Sequence, residues 1–332
     1  MNIAIVGCGL IGGKRARALG EHRLVVVADG RIERARALAS QYPGVDATAD
    51  WSAAVARSDV DAVIVSTTND WLAPIAMGAV EAGKAVLVEK PAGRGPADLA
   101  PLIAAAERRG ACVQVGFNHR YHPAFRRARQ IVESGALGPM MYVRGRYGHG
   151  GRPGYEKEWR ADPAIAGGGE LLDQGVHLID LARWFLGDFV DVSGFVNTYF
   201  WPMTVEDNGF LLLRTADDRV AWLHASCTEW KNMFSFEIYG RDGKLQVDGL
   251  GGSYGLERLA YYRMLPEMGP PETMIWEYPG EDVSWRLEFD AFTRAVADRI
   301  APEVTLRDAL AALTVVQRVY DAAPRRLEVS GR

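Results

Sequence analysis

Asn2-Ile3-Ala4-Ile5-Val6-Gly7-Cys8-Gly9-Leu10-Ile11-Gly12 reads as a short β-branched strand, a glycine turn and the opening of a helix that continues from Lys14 to Leu19. Each glycine has a separate use in that arrangement. Gly7 permits the tight turn, Gly9 lets the backbone approach a pyrophosphate, and Gly12 allows close helix–strand packing. The helix N-terminus, at Leu10 and Ile11, offers unpaired N–H groups to the anion. A second apolar run, Leu24 to Ala28, ends in Asp29, about 20 residues past the first glycine, where a carboxylate can bond a ribose 2′-hydroxyl. Asp29 before Gly30 is also an ordinary turn initiator. Arg31 pulls the other way, since a guanidinium can attract a 2′-phosphate or stack on adenine. NAD is the expected cofactor, with NADP left open.

Working outward, the alternation continues. A helix over Ile32 to Gln41 precedes a strand over Ala62 to Ser66, then come a helix over Leu72 to Ala82, a strand over Ala85 to Glu89 and a late strand over Val113 to Phe117. Strands alternating with helices imply a parallel doubly wound sheet. Such sheets bind ligands outside their strands' carboxyl ends, which points to Thr67, Thr68 and Asn69 after one strand and to Glu89 and Lys90 after the next. The bland alternative for Lys90 is a solvated lysine on a loop.

Past Arg120 the pattern changes. Strand-like runs recur at Met140 to Tyr147, Val190 to Phe200, Phe210 to Arg214, Val220 to Cys227, Phe234 to Tyr239 and Lys244 to Val247, with Arg241-Asp242-Gly243 as a hairpin turn. A run of strands after βα alternation marks a second domain of another class. The expected division is 1–120 and 121–332, with a helix over Leu306 to Tyr320 packing back on the first domain.

Within the second part, Gly167-Gly168-Gly169-Glu170-Leu171-Leu172-Asp173-Gln174-Gly175-Val176-His177-Leu178-Ile179-Asp180 places a carboxylate and an imidazole four residues apart, on one face if the segment is helical. That pair suits proton transfer near neutral pH; a helical Asp/His pair is also an ordinary packing feature. Asp180 is either a partner of His177 or a contact to backbone or arginine. The stretch from Tyr147 to Trp159 carries His149, Arg152, Tyr155, Lys157 and Trp159 among glycines, groups that suit sugar faces and anions but also subunit contacts. Trp201, Asp207, Asn208 and Trp230 are weaker candidates.

Composition narrows the classes. The net charge of −4 and the scattered basic residues give no footprint for nucleic acid. The N-terminal apolar run is short and lacks a basic leader, so neither a signal peptide nor a membrane span is expected, and the chain is read as cytoplasmic. Three cysteines, Cys8, Cys112 and Cys227, match no metal knuckle or redox pair and are expected as free thiols.

Together, the glycine fingerprint, Glu89-Lys90-Pro91 and the GGG-x-LxDxGxHxxD pattern from Gly167 to Asp180 resemble the glucose-fructose oxidoreductase, inositol dehydrogenase and rhizopine-catabolism (Gfo/Idh/MocA) family. The resemblance covers essentially the whole chain. It implies a Rossmann domain followed by an α+β domain with a largely antiparallel open sheet, and a homodimer or homotetramer formed through that sheet. It also implies that Lys90, Asp173 and His177 face the nicotinamide. The expected activity is hydride transfer between NAD(P) and a carbinol carbon of a sugar, polyol or nucleotide-linked sugar, with His177 as proton acceptor, Lys90 on the same oxygen and Asp173 orienting the donor or the base. Asn118, His149, Arg152, Tyr155 and Trp159 join these three as expected substrate contacts. No metal is expected, although a metal-dependent hydrolase could recruit Asp173, His177 and His149. A nucleotide-sensing regulator and a lyase or glycosidase using tightly held NAD transiently are the other readings.

Overall fold

The computed structural model describes residues 1–267 and 269–323, and its strands fall into two sheets. The first holds β1 (Asn2–Val6), β2 (Arg23–Ala28), β3 (Asp46–Thr48), β4 (Ala62–Val65), β5 (Ala85–Glu89) and β6 (Val113–Gly116), in the spatial order β3-β2-β1-β4-β5-β6. Every pairing is parallel. The crossovers carry α1 (Leu10–Arg17), α2 (Ile32–Ala39), α3 (Trp51–Val55), α4 (Asn69–Glu81) and α5 (Pro96–Arg109). Because both faces are covered, the strands read as unbroken apolar runs, and Ile3, Ile5, Val63, Ile64, Val65 and Leu87 are fully buried. The strand order reverses between β1 and β4, and the crevice at that point is the ligand position of an open α/β sheet.

The second sheet is β14-β13-β12-β11-β7-β10-β9-β8, formed by β7 (Met140–Gly148), β8 (Phe189–Asn197), β9 (Asn208–Thr215), β10 (Val220–Ser226), β11 (Met233–Gly240), β12 (Gly243–Asp248), β13 (Glu257–Arg263) and β14 (Glu272–Tyr278). All its pairs are antiparallel except β7 with β10. Along β11 buried and half-buried residues alternate, the period of a strand with one face on a core. That face packs on α6 (Pro123–Glu133) and on α8 (Val176–Leu186), which follows the one-turn α7 (Pro163–Ala166). The opposite face leaves Phe195, Leu212 and Trp222 exposed.

Two further helices complete the chain, α9 (Ser284–Asp298) and α10 (Leu306–Ala322). Phe289 and Phe292 on α9 join Ile3, Ile5, Ile64 and Leu87 in one core cluster under the first sheet. α10 opens with a Thr305/Asp308 capping box and packs on α5, α8 and β8. Residues 324–332 of the expected second domain lie outside the described residues.

Several elements depart from the sequence reading. α5, α6, α9, β3, β13 and β14 were not expected. α6 buries Ala124, Phe125, Ala128 and Ile131 at helical spacing, but its arginines mask the period. α4 starts at Asn69 rather than Leu72, with Thr68 extended at the cap. The hairpin turn is Arg241-Asp242, since Gly243 already pairs with Gly240.

Candidate active site

At the switch point the three glycines do separate jobs. Gly7 has φ +97°, and a Cβ there would sit 2.4 Å from the Ser66 carbonyl oxygen. A Cβ on Gly12 would lie 2.0 Å from the Gly7 carbonyl oxygen, so only glycine lets α1 approach β1 this closely. Nothing stands within 4 Å of the Gly9 Cβ position, and no side chain caps α1 there. Its first N–H groups are therefore available to an anion. Leu10, at 77 % exposure, sits beside them on the cleft, an apolar surface suited to a cofactor. These residues fit a dinucleotide.

Asp29 reaches back to this turn. Its Oδ2 accepts from the Cys8 backbone N–H (2.8 Å) and its Oδ1 from the Arg31 N–H (2.9 Å). The carboxylate thus fixes the end of β2 against the glycine loop. Asp29, Arg31, Arg34, Thr68 and Trp71 line one side of an open pocket whose other side is formed by Lys157, Glu158, Trp159 and Ile165. Thr67 and Asn69 line the adjoining cleft, and Asn69 Nδ2 donates to the Ala166 carbonyl (2.8 Å).

That cleft, about 280 Å³, runs from Leu10, Ile11 and Lys14 to Lys90, Asn118, His119, Tyr147, Trp159, Arg160, Asp173, His177, Tyr254 and Trp285. Lys90 Nζ donates to the Asp173 carbonyl oxygen (2.7 Å) and to Asp173 Oδ1 (2.6 Å). Asp173 Oδ2 accepts from Arg160 Nε (2.9 Å). Burial pushes the Asp173 carboxyl up, but Lys90 and Arg160 outweigh it and hold the group below the usual carboxylate range.

His177 is 4 % exposed and stacks on His119, with ring centroids 3.8 Å apart. Its Nδ1 is buried and unbonded, while its other edge faces the cleft. Burial first, then Lys90 and His122, hold the imidazole well below its usual titration range, so it is neutral at physiological pH.

The Asp173/His177 pair does share one side of the helix: Leu171–Gly175 is a π-turn that runs directly into α8, and both side chains line the cleft. Asp173 nevertheless bonds Lys90 and Arg160, not His177. Asp180 is not a partner of His177 either, because its two oxygens accept from Arg120 Nε (2.8 Å) and Nη2 (2.5 Å). The run Gly167 to Gly169 approaches Arg94, Tyr320 and Glu206, and a Cβ on Gly169 would sit 2.0 Å from the Glu206 carbonyl oxygen. Its glycines admit these neighbours at distances that a side chain would close off.

The glycine-rich loop also divides. His149 does not line the cleft; its Nε2 lies 3.5 Å from buried Glu170 and its Nδ1 accepts the Gly151 N–H. Arg152 is exposed and pairs with Glu158. Tyr155 is buried with Trp201 and Cys227 and walls a small pocket behind Asp173. Only Trp159 of the four expected contacts in this loop reaches the cleft. Among the described residues no three His, Cys, Asp or Glu side chains, Asp173, His177 and His149 included, are grouped to hold a metal ion. Asp207 accepts the backbone N–H groups of Tyr199, Phe200 and Trp201, Asn208 bonds His224, and Trp230 is exposed against Phe200. Asn118 lines the cleft and donates to Ser284 Oγ (2.9 Å).

Behind Lys90 lies a buried ion network. Arg15, fully buried, donates to Glu89 Oε1 (2.6 Å) and Glu288 Oε2 (2.5 Å), tying α1, the end of β5 and α9 together. Glu89 therefore braces the Lys90 turn and also lines the cleft. Burial pushes the Glu288 carboxyl up; Arg15 opposes, Glu89 adds to the rise, and the group titrates at about 7. A raised folded-state value means stability present at acid pH is lost as pH rises through that value. Glu288→Gln should flatten the decline in melting temperature between about pH 5 and pH 8; an unchanged slope would assign the decline to other groups.

Comparison with known proteins agrees with this geometry. Residues 1–117 match the model of the oxidoreductase family with an NAD-binding Rossmann fold, and residues 125–246 match the GFO/IDH/MocA C-terminal domain. A dTDP-3,4-didehydro-2,6-dideoxy-α-D-glucose 3-reductase from Streptomyces violaceoruber is 31 % identical over 75 % of this chain and 72 % of its own length. The chain belongs to the Gfo/Idh/MocA oxidoreductase family. Another Gfo/Idh/MocA relative, inositol 2-dehydrogenase 2 from Saccharopolyspora erythraea, is 28 % identical over 84 % of this chain and 76 % of its own. Levoglucosan dehydrogenase solved with NADH and levoglucosan superposes at a TM-score of 0.88, with 23 % identity, covering 97 % of this chain and 96 % of the other. The NAD-binding Rossmann match of this Gfo/Idh/MocA oxidoreductase covers the first sheet and its glycine turn. Among the described residues no helix is long and apolar enough to cross a membrane.

His119, Tyr147, Arg160, Tyr254 and Trp285 escaped the sequence reading as cleft residues. Arg160 and His119 each adjoin a residue that was selected, Trp159 and Asn118. That adjacency was the only available signal.

Proposed function

We propose that the chain is an NAD-dependent dehydrogenase that transfers hydride between nicotinamide and a carbinol carbon of a sugar, polyol or nucleotide-linked sugar. One observation carries the reading: an ammonium fixed by a carboxylate and the open edge of a neutral imidazole share the cleft that begins at the glycine turn. Bound NAD would supply the hydride-accepting ring. An ammonium has three N–H donors, and Asp173 takes two of Lys90's. The third is left for the reacting oxygen, where it stabilises developing negative charge. His177, neutral because it is buried beside Lys90, accepts the hydroxyl proton. Asp173 acts on Lys90, not on the base. Asn118 and Trp159 border the space left for substrate.

Asp29 supports NAD over NADP, since a 2′-phosphate would meet its carboxylate; Arg31 and Arg34 alongside soften that preference. The apolar open face of the second sheet, with Phe195 at 72 % exposure and Leu212 at 54 %, supports self-association through that face.

The test is a panel of levoglucosan, myo-inositol, free hexoses, sugar acids and dTDP- and UDP-sugars, each with NAD and NADP, read by absorbance at the nicotinamide band. NADH formation with at least one compound is expected. Stable cofactor binding without turnover across the panel would favour the regulator reading, and substrate loss without net NADH the lyase.

A further inference from the structure

Asp173 is held by two cations from different parts of the chain, and only Lys90 has a task in the reading above. Arg160 sits in the single turn Trp159–Ala161, outside the helix that carries Asp173. Its Nε occupies Asp173 Oδ2, the oxygen that Lys90 does not use. Its guanidinium stacks on the Trp159 ring at 4.6 Å, and its Nη1 lies 3.7 Å from Glu158. It borders both the cleft and the small pocket behind Asp173.

We propose that Arg160 is a positioning residue: it locks the plane of the Asp173 carboxylate, and through that carboxylate it aims Lys90 Nζ at the reacting oxygen. The proposal rests on the dehydrogenase reading. A carboxylate's last torsion is broad and roughly two-fold, so a single partner on Oδ1 leaves it free to swing. A second charge-assisted bond on Oδ2 removes that freedom. Glu170 lies buried three residues earlier with Oε1 unbonded, and burial and Asp173 push its carboxyl up. Without Arg160 the Asp173 carboxylate is free to turn on Oδ1 and to carry Lys90 Nζ off the substrate oxygen.

The test compares R160Q, R160K, D173N and R160Q/D173N in the full-length protein, on the panel compound that wild type oxidises fastest. R160Q should lower kcat by about 10- to 100-fold, the range of one bond to a charged group. Its KM should move by less than about threefold, because the contact is not to substrate. NADH affinity should be unchanged and R160K should recover most of the loss. In the D173N background R160Q should cost less than about threefold more, since its effect runs through that carboxylate. Equal losses in both backgrounds, or a loss that falls on NADH affinity, would overturn the proposal. A substrate-free arm separates this from failure of the dehydrogenase reading. The chain has six lysines, so a spectrum of Cε-labelled protein can be assigned at Lys90 through K90R. The Lys90 signal should move in R160Q toward its position in D173N and stay in place in R160K. A signal that R160Q leaves unmoved contradicts the mechanism even if no panel compound is oxidised.

Discussion

Lys90→Met should lower kcat by about a thousandfold while NADH affinity stays within a few fold, the split expected when a transition-state interaction is removed without touching cofactor contacts. The methionine keeps the unbranched stem and loses only the donors. Asp173 retains Arg160 as counter-ion, so its carboxylate is not left unpaired in the interior. The Arg15–Glu89–Glu288 network that braces this turn is untouched. A fall confined to cofactor binding would instead make Lys90 a cofactor contact, and full activity would remove it from the chemistry. Kinetics on the best panel compound, with NADH titration by fluorescence, decides among these outcomes.

The second large effect is on stability. Asp180→Ala should cost about 3 kcal/mol, because it strands a buried guanidinium whose remaining carboxylate partner, Asp308, is partly exposed. For a chain of this size that corresponds to a fall in melting temperature of about 4–5 °C. Activity per folded molecule should change little, since Asp180 bonds Arg120 and not His177. R120M/D180L, which removes both charges and fills the space, should recover much of the loss. If Asp180→Ala melted normally but lost its turnover, Asp180 would belong to the proton path after all.

These contrasts show what the amino-acid order could and could not convey. Gly7 and Gly12 were readable because each relieves a steric constraint that only glycine can relieve, and the structure displays both constraints atom by atom, whereas the Gly9 position is open. Lys90 was readable from topology, as a residue after the carboxyl end of β5, beside the switch-point strand β4. Asp180 stayed open between His177 and an arginine because helical spacing says which face a residue is on, not what stands opposite. The partner, Arg120, is sixty residues away. His149, Arg152 and Tyr155 were misplaced for a related reason. A glycine-rich loop has no period, and the direction of each side chain is set by tertiary neighbours such as Glu170, Glu158 and Trp201. The π-turn at Leu171–Gly175 has no sequence signature of its own and becomes visible only in the structure.

The central claim is direct hydride transfer in the cleft joining the glycine turn to Lys90 and His177. A single-turnover experiment tests it most directly, with excess enzyme and NAD, the best panel compound bearing deuterium at the oxidised carbon, and absorbance followed at the nicotinamide band. The expected result is one equivalent of reduced nicotinamide per substrate, formed more slowly with deuterium in wild type and suppressed by about two orders of magnitude or more in His177→Ala. Substrate consumed without reduced cofactor, or His177→Ala reacting at the wild-type rate, would contradict the account.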